Sequence, residues 1–241
     1  MKARLKQAGG KVVALNFTQT ETVLDSDYDI KNGNNPYYQW GRKDPMLPSN
    51  GIGDTDKTCY PGSPEYKFKY GSEGLNTADI KEYIKNPHKF NIKEEMDGRY
   101  YNLWSTDNDK TAANDDVVIK SVYDPSPVGY SLPASNAFTG FAITGGYTNN
   151  PTELNIKDNF DKGYYFYTKP NKQGLIFWFP ASGSRAIESG SLANVNMLGH
   201  YSMAARTSIF YGYNLCFDSI YFYPLNSSRG HGFPVRSAEE K

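Results

Sequence analysis

The acidic stretch 106–116 holds the side chains best suited to bind a metal ion. Its candidates are the carboxylates of Asp107, Asp109, Asp115 and Asp116. Carboxylate oxygens are the ligands that Ca²⁺ prefers, but an EF-hand loop also needs a glycine at its turn and a glutamate at its last position. Neither stands at the required place here. We therefore expect a solvated loop and no metal site, with a structural calcium in this loop as the open alternative.

The histidines and serines do not form a recognisable catalytic arrangement. His88, His200 and His231 show no spacing typical of zinc ligands, and no cysteines accompany them. The segment 182–184 reads Ser-Gly-Ser, but a proline and an alanine precede it where the nucleophile turn of a hydrolase has a glycine. Carboxylate pairs such as 94–95 are adjacent in sequence, so their side chains diverge and cannot form an acid/base pair. We expect no catalytic residue, no cofactor and no enzyme activity.

The amino-acid composition excludes some classes of binding partner and favours others. The 241 residues hold 26 Lys+Arg and 26 Asp+Glu, for a formal net charge of +0, so no overall field attracts nucleic acid. Apolar runs such as 176–179 are far shorter than the roughly 20 residues that span a bilayer, so we expect no membrane insertion. Aromatic residues make up 15 % of the chain, including 20 tyrosines, which favours an exposed recognition surface. Cys59 and Cys216 could form one disulfide or none.

The pattern along the chain predicts one domain behind a short N-terminal segment. Residues 1–31 contain one predicted strand, at 11–20, and form a linker or the end of an upstream domain. Residues 32–241 form the main domain. A helix is predicted at 76–86, where Ile80 and Ile84 lie one turn apart and a proline follows.

Short strands account for most of the remaining regular structure. The candidates are 117–122, 163–168, 175–179, 211–217, 220–223 and 232–236. Glycine, proline and asparagine separate these strands with long irregular connections. Short antiparallel strands, one or two helices and long loops together predict an α+β fold whose loops carry the function.

The last forty residues show the pattern of a binding surface. In a strand at 211–218, Tyr213, Leu215 and Phe217 share one face, while Asn214 and Cys216 share the other with Asp218. We expect the first face to pack and the second to be presented to a ligand. Tyrosine offers a large contact area and has few rotatable bonds, so it loses little conformational entropy on binding, which suits such a surface. The alternative is that these tyrosines pack against neighbouring loops.

We expect the ligand to be bound by the side chains that point outward from the last forty residues. They are Ser202, Ala204, Arg206, Ser208, Phe210, Tyr211, Asn214, Cys216, Asp218, Tyr221, Tyr223, Asn226 and His231.

Four motifs along residues 32–241 carry a family resemblance. They are YYQWGRKDP at 37–45, YDPSPVGYSLP at 123–133, FPASGSR at 179–185 and GHGFPVRS at 230–237. In this order they resemble motifs of the C-type-lectin-like domains at the C-termini of Bacteroides-type fimbrillin and surface proteins, relatives of the Fibrobacter succinogenes major paralogous domain. The resemblance implies a C-type-lectin-like fold for 32–241.

The sequence departs from the family at three informative positions. Ser126 and Ser237 stand where relatives commonly carry cysteine, which implies the loss of one disulfide. Ser202 stands where relatives often carry tryptophan. The motifs with which calcium-dependent lectins bind sugar, such as Glu-Pro-Asn, are absent from this chain, so the fold name alone implies no sugar chemistry.

The resemblance also implies a function. The same fold hosts the variable proteins of diversity-generating retroelements, whose C-terminal codons are diversified while the scaffold is kept. We therefore expect a protein on the outer cell surface or outside the cell that binds a protein or glycan of another cell or host surface. Adhesion or receptor recognition would be its role. The alternatives are a receptor-binding protein of a phage tail and a structural pilin domain that contacts other pilus subunits.

Overall fold

The computed structural model describes residues 36–46, 70–93, 103–107 and 111–240, together with the backbone of two strands near the N-terminus. Cys59 and Asp109 fall outside the described residues. So does the boundary expected between residues 31 and 32.

Short strands dominate the described residues. In chain order the elements are β1 (Lys2–Lys6), β2 (Val12–Asn16), β3 (Tyr38–Gln39), α1 (Ile80–Lys85), β4 (Tyr130–Ser131), β5 (Gly163–Lys169), β6 (Gln173–Pro180), β7 (Ser184–Arg185), β8 (Leu192–Ala193), β9 (Gly199–Arg206), β10 (Tyr211–Phe217), β11 (Phe222–Ser228), β12 (Gly232–Phe233) and β13 (Ala238–Glu239). Single 3₁₀ turns lie at Gly71–Glu73, Thr139–Phe141 and Pro151–Glu153.

The strands pair into small antiparallel sheets. A three-stranded sheet has the order β11–β10–β9, and a four-stranded sheet of very short strands has the order β3–β12–β7–β8. The pairs β1–β2, β5–β6 and β4–β13 complete the set. Every pairing between these strands is antiparallel. The four-stranded sheet brings together three of the sequence motifs, those that contain residues 38–39, 184–185 and 232–233.

An aromatic core lies beneath the β5–β6 hairpin. Alternation along the two strands places Tyr164 and Phe166 opposite Phe179 and Phe177, and all four rings are at most 2 % exposed. The ring of Phe141 stacks on Phe166 with centroids 4.1 Å apart. Each buried ring of this kind stabilises the fold by about 1.5–3 kcal/mol relative to an exposed one.

The three-stranded sheet closes the same core from the other side. Leu215 and Phe217 of β10 and Phe222 of β11 are fully buried, and they pack in one cluster with Tyr201 of β9. The rings of Tyr201 and Phe217 lie nearly parallel at 6.3 Å. The packed core therefore fixes the position of the strands that carry the predicted binding residues.

Helix α1 confirms the predicted helix but is shorter than the range 76–86. The side chain of Asp79 accepts a hydrogen bond from the backbone N–H of Lys81 at 2.9 Å and so caps the first turn. Ile80 faces a second core cluster, which also holds Trp40 and Trp104. Arg42 donates to three backbone carbonyls just beyond the helix, at residues 86, 87 and 89, and so ties the chain that follows the helix to the segment after β3.

Several predicted strands are confirmed and others are corrected. The strands at 163–168, 175–179 and 211–217 correspond to β5, β6 and β10. The strand expected at 220–223 begins two residues later and runs to Ser228, whereas the one expected at 232–236 already ends at Phe233.

Two further corrections concern strand number. The strand predicted at 117–122 is wrong, because this stretch makes only an isolated bridge between Ser105 and Lys120. The strand expected at 11–20 corresponds to β2, but a second strand that was not predicted, β1, precedes it and pairs with it.

The fold is mostly β rather than evenly α+β. Helix α1 has six residues, and the described residues add only single 3₁₀ turns to it. Of the predicted α+β class, the short antiparallel strands and the irregular connections are confirmed, whereas the helical part is smaller than the class implies. Among the described residues, no helix is long and apolar enough to cross a membrane.

Candidate ligand-binding surface

The sheet β9–β10–β11 carries most of the residues expected to bind a ligand, and its two faces lie in different surroundings. One face packs on the aromatic core. We call the opposite face the outer face; it carries Ser202, Asn214, Cys216, Tyr223 and Ser227.

Much of the outer face is covered. Ser202, Ala204, Asn214 and Cys216 are at most 5 % exposed, so the prediction that these side chains face solvent is wrong. The alternation of side chains along a strand correctly assigns residues to the two faces of the sheet, but it does not reveal which other segments cover the outer face. Here the ring of Phe233 covers part of it and stacks on His200 with centroids 4.8 Å apart.

A buried hydrogen-bond network runs across the outer face. Asn214 Oδ1 can only accept, so His200 donates its Nδ1 proton to it over 3.0 Å. Asn214 Nδ2 donates to Ser227 Oγ at 2.9 Å and to the carbonyl of Leu225 at 3.0 Å. Burial lowers the pKa of His200, and the hydrogen bond to Asn214 opposes that shift only in part. Asn214 thus joins three strands instead of contacting a ligand.

Cys216 is a buried, free thiol. It lies opposite Tyr223 in the register of β10 and β11. Burial and, to a smaller extent, the nearby Asp218 carboxylate raise the pKa of this thiol to about 12. The thiol is therefore protonated at neutral pH and unsuited to nucleophilic chemistry.

The connection from β9 to β10 projects one exposed patch. We call it the loop patch; it consists of Arg206, Ser208, Ile209, Phe210 and Tyr211. Ser208 Oγ accepts hydrogen bonds from the backbone N–H groups of Phe210 and Tyr211, both at 3.2 Å, which closes a tight turn. Ile209 and Tyr211 are 48 % and 45 % exposed. The turn thus presents one aliphatic and one aromatic side chain.

Arg229 fixes the loop patch from behind. It is only 3 % exposed, and its guanidinium donates to the carbonyl of Ile209. Its backbone N–H donates to the carbonyl of Phe210 at 3.1 Å. Its guanidinium also lies 5.5 Å from the centre of the Trp40 ring, a cation–π contact. The loop patch is therefore held in place before any ligand arrives.

The turn from β10 to β11 projects a second exposed patch. We call it the tip patch; it consists of Asp218, Ile220, Tyr221 and Tyr223. Asp218 Oδ1 accepts from the backbone N–H groups of Ile220 at 2.6 Å and Tyr221 at 2.7 Å, so this carboxylate shapes the turn. The rings of Tyr221 and Tyr223 meet edge to face at 6.0 Å.

The two patches lie at opposite ends of the same strand. β10 has seven residues, and a strand rises about 3.3 Å per residue, which separates its ends by about 20 Å. The sequence predicts one continuous surface, whereas the structure divides the exposed residues into two groups. Of the remaining predicted residues, Asn226 is exposed on β11, and the half-buried His231 stacks on Phe233 at 5.6 Å.

A shallow depression lies beside the loop patch. Trp40 and Trp104 form part of its wall, with ring centroids 4.8 Å apart, and Ser202, Arg229 and His231 also line it. It has room for about one water-sized group at its base. Sequence reasoning identified Ser202 and His231 but missed Trp40, Trp104 and Arg229. Trp40 lies in the motif 37–45, but nothing local shows that the three residues meet, because they come from segments far apart in the chain.

Ser182, which the sequence analysis considered as a nucleophile, has a structural role. Ser182 is fully buried, and its hydroxyl lies 3.4 Å from the carbonyl of Pro180. The hydroxyl of Tyr37 donates to the carbonyl of Ser182. In the part of the chain that the structure describes, no three His, Cys, Asp or Glu side chains lie close enough to hold a metal ion together.

No family model, curated protein or solved structure matches the chain.

Proposed function

We propose that this chain is a ligand-binding protein with a C-type-lectin-like fold, which acts in adhesion or receptor recognition outside the cell or on its outer surface. The observation that carries the proposal is the loop patch. It holds Ile209 and Tyr211 half exposed on a turn that Arg229 and Ser208 fix in place. A rigid turn with exposed apolar and aromatic side chains loses little conformational entropy when it binds.

The chemistry of the loop patch favours a macromolecular ligand. Tyrosine and arginine are common among the residues that dominate binding energy at protein interfaces. Tyr211 and Arg206 flank the turn, and the tip patch adds Tyr221 and Ile220 at the far end of β10. A ligand that contacts both patches must span about 20 Å. Such a span is typical of a folded protein or a glycan chain and exceeds that of a metabolite.

The exposed patches also support diversification as part of the proposal. The side chains at Ile209, Tyr211, Ile220 and Tyr221 project from turns, so their replacement leaves the core cluster intact. The buried positions Ser202, Ala204, Asn214 and Cys216 tolerate only residues that fit the interior. We therefore expect diversified codons mainly at the exposed positions. A second copy of the 3′ end of the gene, with adenines at those codons, is required for diversification by a retroelement.

A binding screen tests the proposed function. The chain is applied to arrays of glycans and of surface proteins beside an Ile209→Ser/Tyr211→Ser double variant of equal thermal stability. We expect one or more ligands to bind the native chain and to bind the variant at least tenfold more weakly, since two anchors are removed. Equal binding of the two proteins would reject the loop patch. An absence of any ligand on both arrays would reject the proposed function.

A further inference from the structure

The lining of the depression beside the loop patch includes one buried polar group that finds no hydrogen-bond partner among the described residues. It is the indole Nε1–H of Trp104, a side chain that is 2 % exposed. Ser202, which is 4 % exposed, brings a hydroxyl to the same lining. Buried polar groups are almost always paired, so an unpaired indole N–H in the lining of a depression indicates an occupant. Because an indole N–H can only donate, the occupant must offer an acceptor oxygen.

The other lining groups set the charge of that occupant. Ser227 Oγ already accepts a hydrogen bond from Asn214 Nδ2, so its own proton is available to a further acceptor. The guanidinium of Arg229 is buried in the same wall, and none of the lining residues carries a carboxylate. Donors and a positive charge stabilise an anionic oxygen more than a neutral one.

We propose that this depression binds one carboxylate oxygen of the ligand. Trp104 Nε1 and the hydroxyls of Ser202 and Ser227 donate to the oxygen, while the Arg229 guanidinium supplies the opposite charge. The carboxylate belongs to an acidic side chain or to a sugar acid. This inference rests on the proposed function, because the depression opens beside the loop patch and selects among the ligands that the patch would contact.

The tryptophans offer a direct readout. The chain has 3 tryptophans, so its ¹⁵N-labelled form gives one indole N–H signal for each, and Trp→Phe variants assign them. Acetate is titrated at constant ionic strength, with acetamide and methylammonium as comparison probes. We expect a saturable shift of the Trp104 signal with acetate, a several-fold weaker effect of acetamide and none of methylammonium. The Trp178 signal, from β6, stays in place.

Variants separate binding in the depression from general salt effects. Ser202→Ala removes one donor and weakens acetate binding by about threefold to tenfold. Ser202→Leu fills the space and abolishes binding, while Ser191→Ala, an exposed serine elsewhere, leaves it unchanged. Ser202→Ala alone carries the test if the leucine variant fails to fold. A linear response of Trp104, an equal response to acetamide, or acetate binding unaffected by Ser202→Ala would overturn the proposal.

Two further probes separate the sources of the carboxylate. N-acetylaspartate amide represents an acidic side chain, and glucuronate represents a sugar acid. The probe that binds more tightly than acetate identifies the source. These titrations need no knowledge of the macromolecular ligand. If acetate binds while the arrays show no ligand, the carboxylate site stands and the proposed function fails; the reverse result rejects the site alone.

Discussion

The hydroxyls of Ser126 and Ser237 are hydrogen-bonded to each other at 2.7 Å, across a sequence separation of 111 residues. Both side chains are 5 % exposed. They join the loop before β4 to the start of β13, and these two strands pair with each other. This hydrogen bond lies where the family resemblance implies a lost disulfide.

Introducing cysteine at both positions should form a disulfide bond. We expect the Ser126→Cys/Ser237→Cys chain to oxidise without rearranging the backbone, because the two hydroxyl oxygens are already adjacent. A loop of this length predicts stabilisation of up to about 4–5 kcal/mol through the unfolded state. Thermal denaturation with and without reductant measures the gain. Each single cysteine variant serves as a control, and a double variant that stays reduced in air would show that the side chains cannot reach the disulfide geometry.

Neighbouring residues at the start of β11 should respond in opposite ways to truncation. Tyr221 is 44 % exposed and Phe222 is fully buried. We expect Tyr221→Ala to change the free energy of unfolding by less than about 0.5 kcal/mol and to weaken ligand binding by more than about 1 kcal/mol. Phe222→Ala leaves a cavity in the aromatic core and costs about 3–5 kcal/mol of stability. Denaturant titration of both variants checks this contrast, and similar losses would place Tyr221 in the core.

The sequence predicts strands wherever alternation is clear. β5 and β6 alternate buried residues with more exposed ones over part of their length, whereas β10 alternates large apolar residues with small or polar ones in sequence although most of it is buried; the positions of all three are confirmed. β9 was missed because nearly all of its residues are buried on both faces, so its sequence GHYSMAAR shows no alternation. Its outer edge is also covered, since the backbone N–H groups of Ser202 and Ala204 donate to carbonyls of Pro234 and Pro133.

The site could be located only in part. The expectation that Tyr211 and Tyr221 reach solvent is confirmed, since both lie at the ends of turns. Sequence reasoning failed for Cys216, because burial of the outer face depends on side chains from remote segments, such as Phe233. It also missed Arg229, whose role follows from contacts with the carbonyl of Ile209 and the ring of Trp40. Contacts of this kind have no local sequence signal.

The Cys216 thiol should resist modification in the folded protein. Burial restricts access and raises its pKa to about 12, so the reactive thiolate is scarce near pH 8. We expect iodoacetamide to leave Cys216 unmodified in the native chain and to modify it fully in denaturant, as read by mass spectrometry of peptides. A Cys216→Ala variant gives the background from Cys59. Rapid native labelling of Cys216 would show that the outer face opens to solvent.

His200 should make the fold sensitive to mild acid. Burial holds the pKa of its imidazole below the ordinary 6.5, so the unfolded chain takes up a proton there that the folded chain does not. Stability is therefore lost as the pH falls below about 6.5, by at most about 1.4 kcal/mol per pH unit. The raised pKa of the buried Asp124 acts in the opposite direction at lower pH, because the folded state favours its protonated form. Thermal denaturation between about pH 7 and pH 5 compares the native chain with His200→Gln, in which only the histidine contribution is removed. We expect the variant to lose less stability than the native chain on acidification, and parallel curves would mean that His200 accepts a proton as readily in the folded state as in the unfolded one.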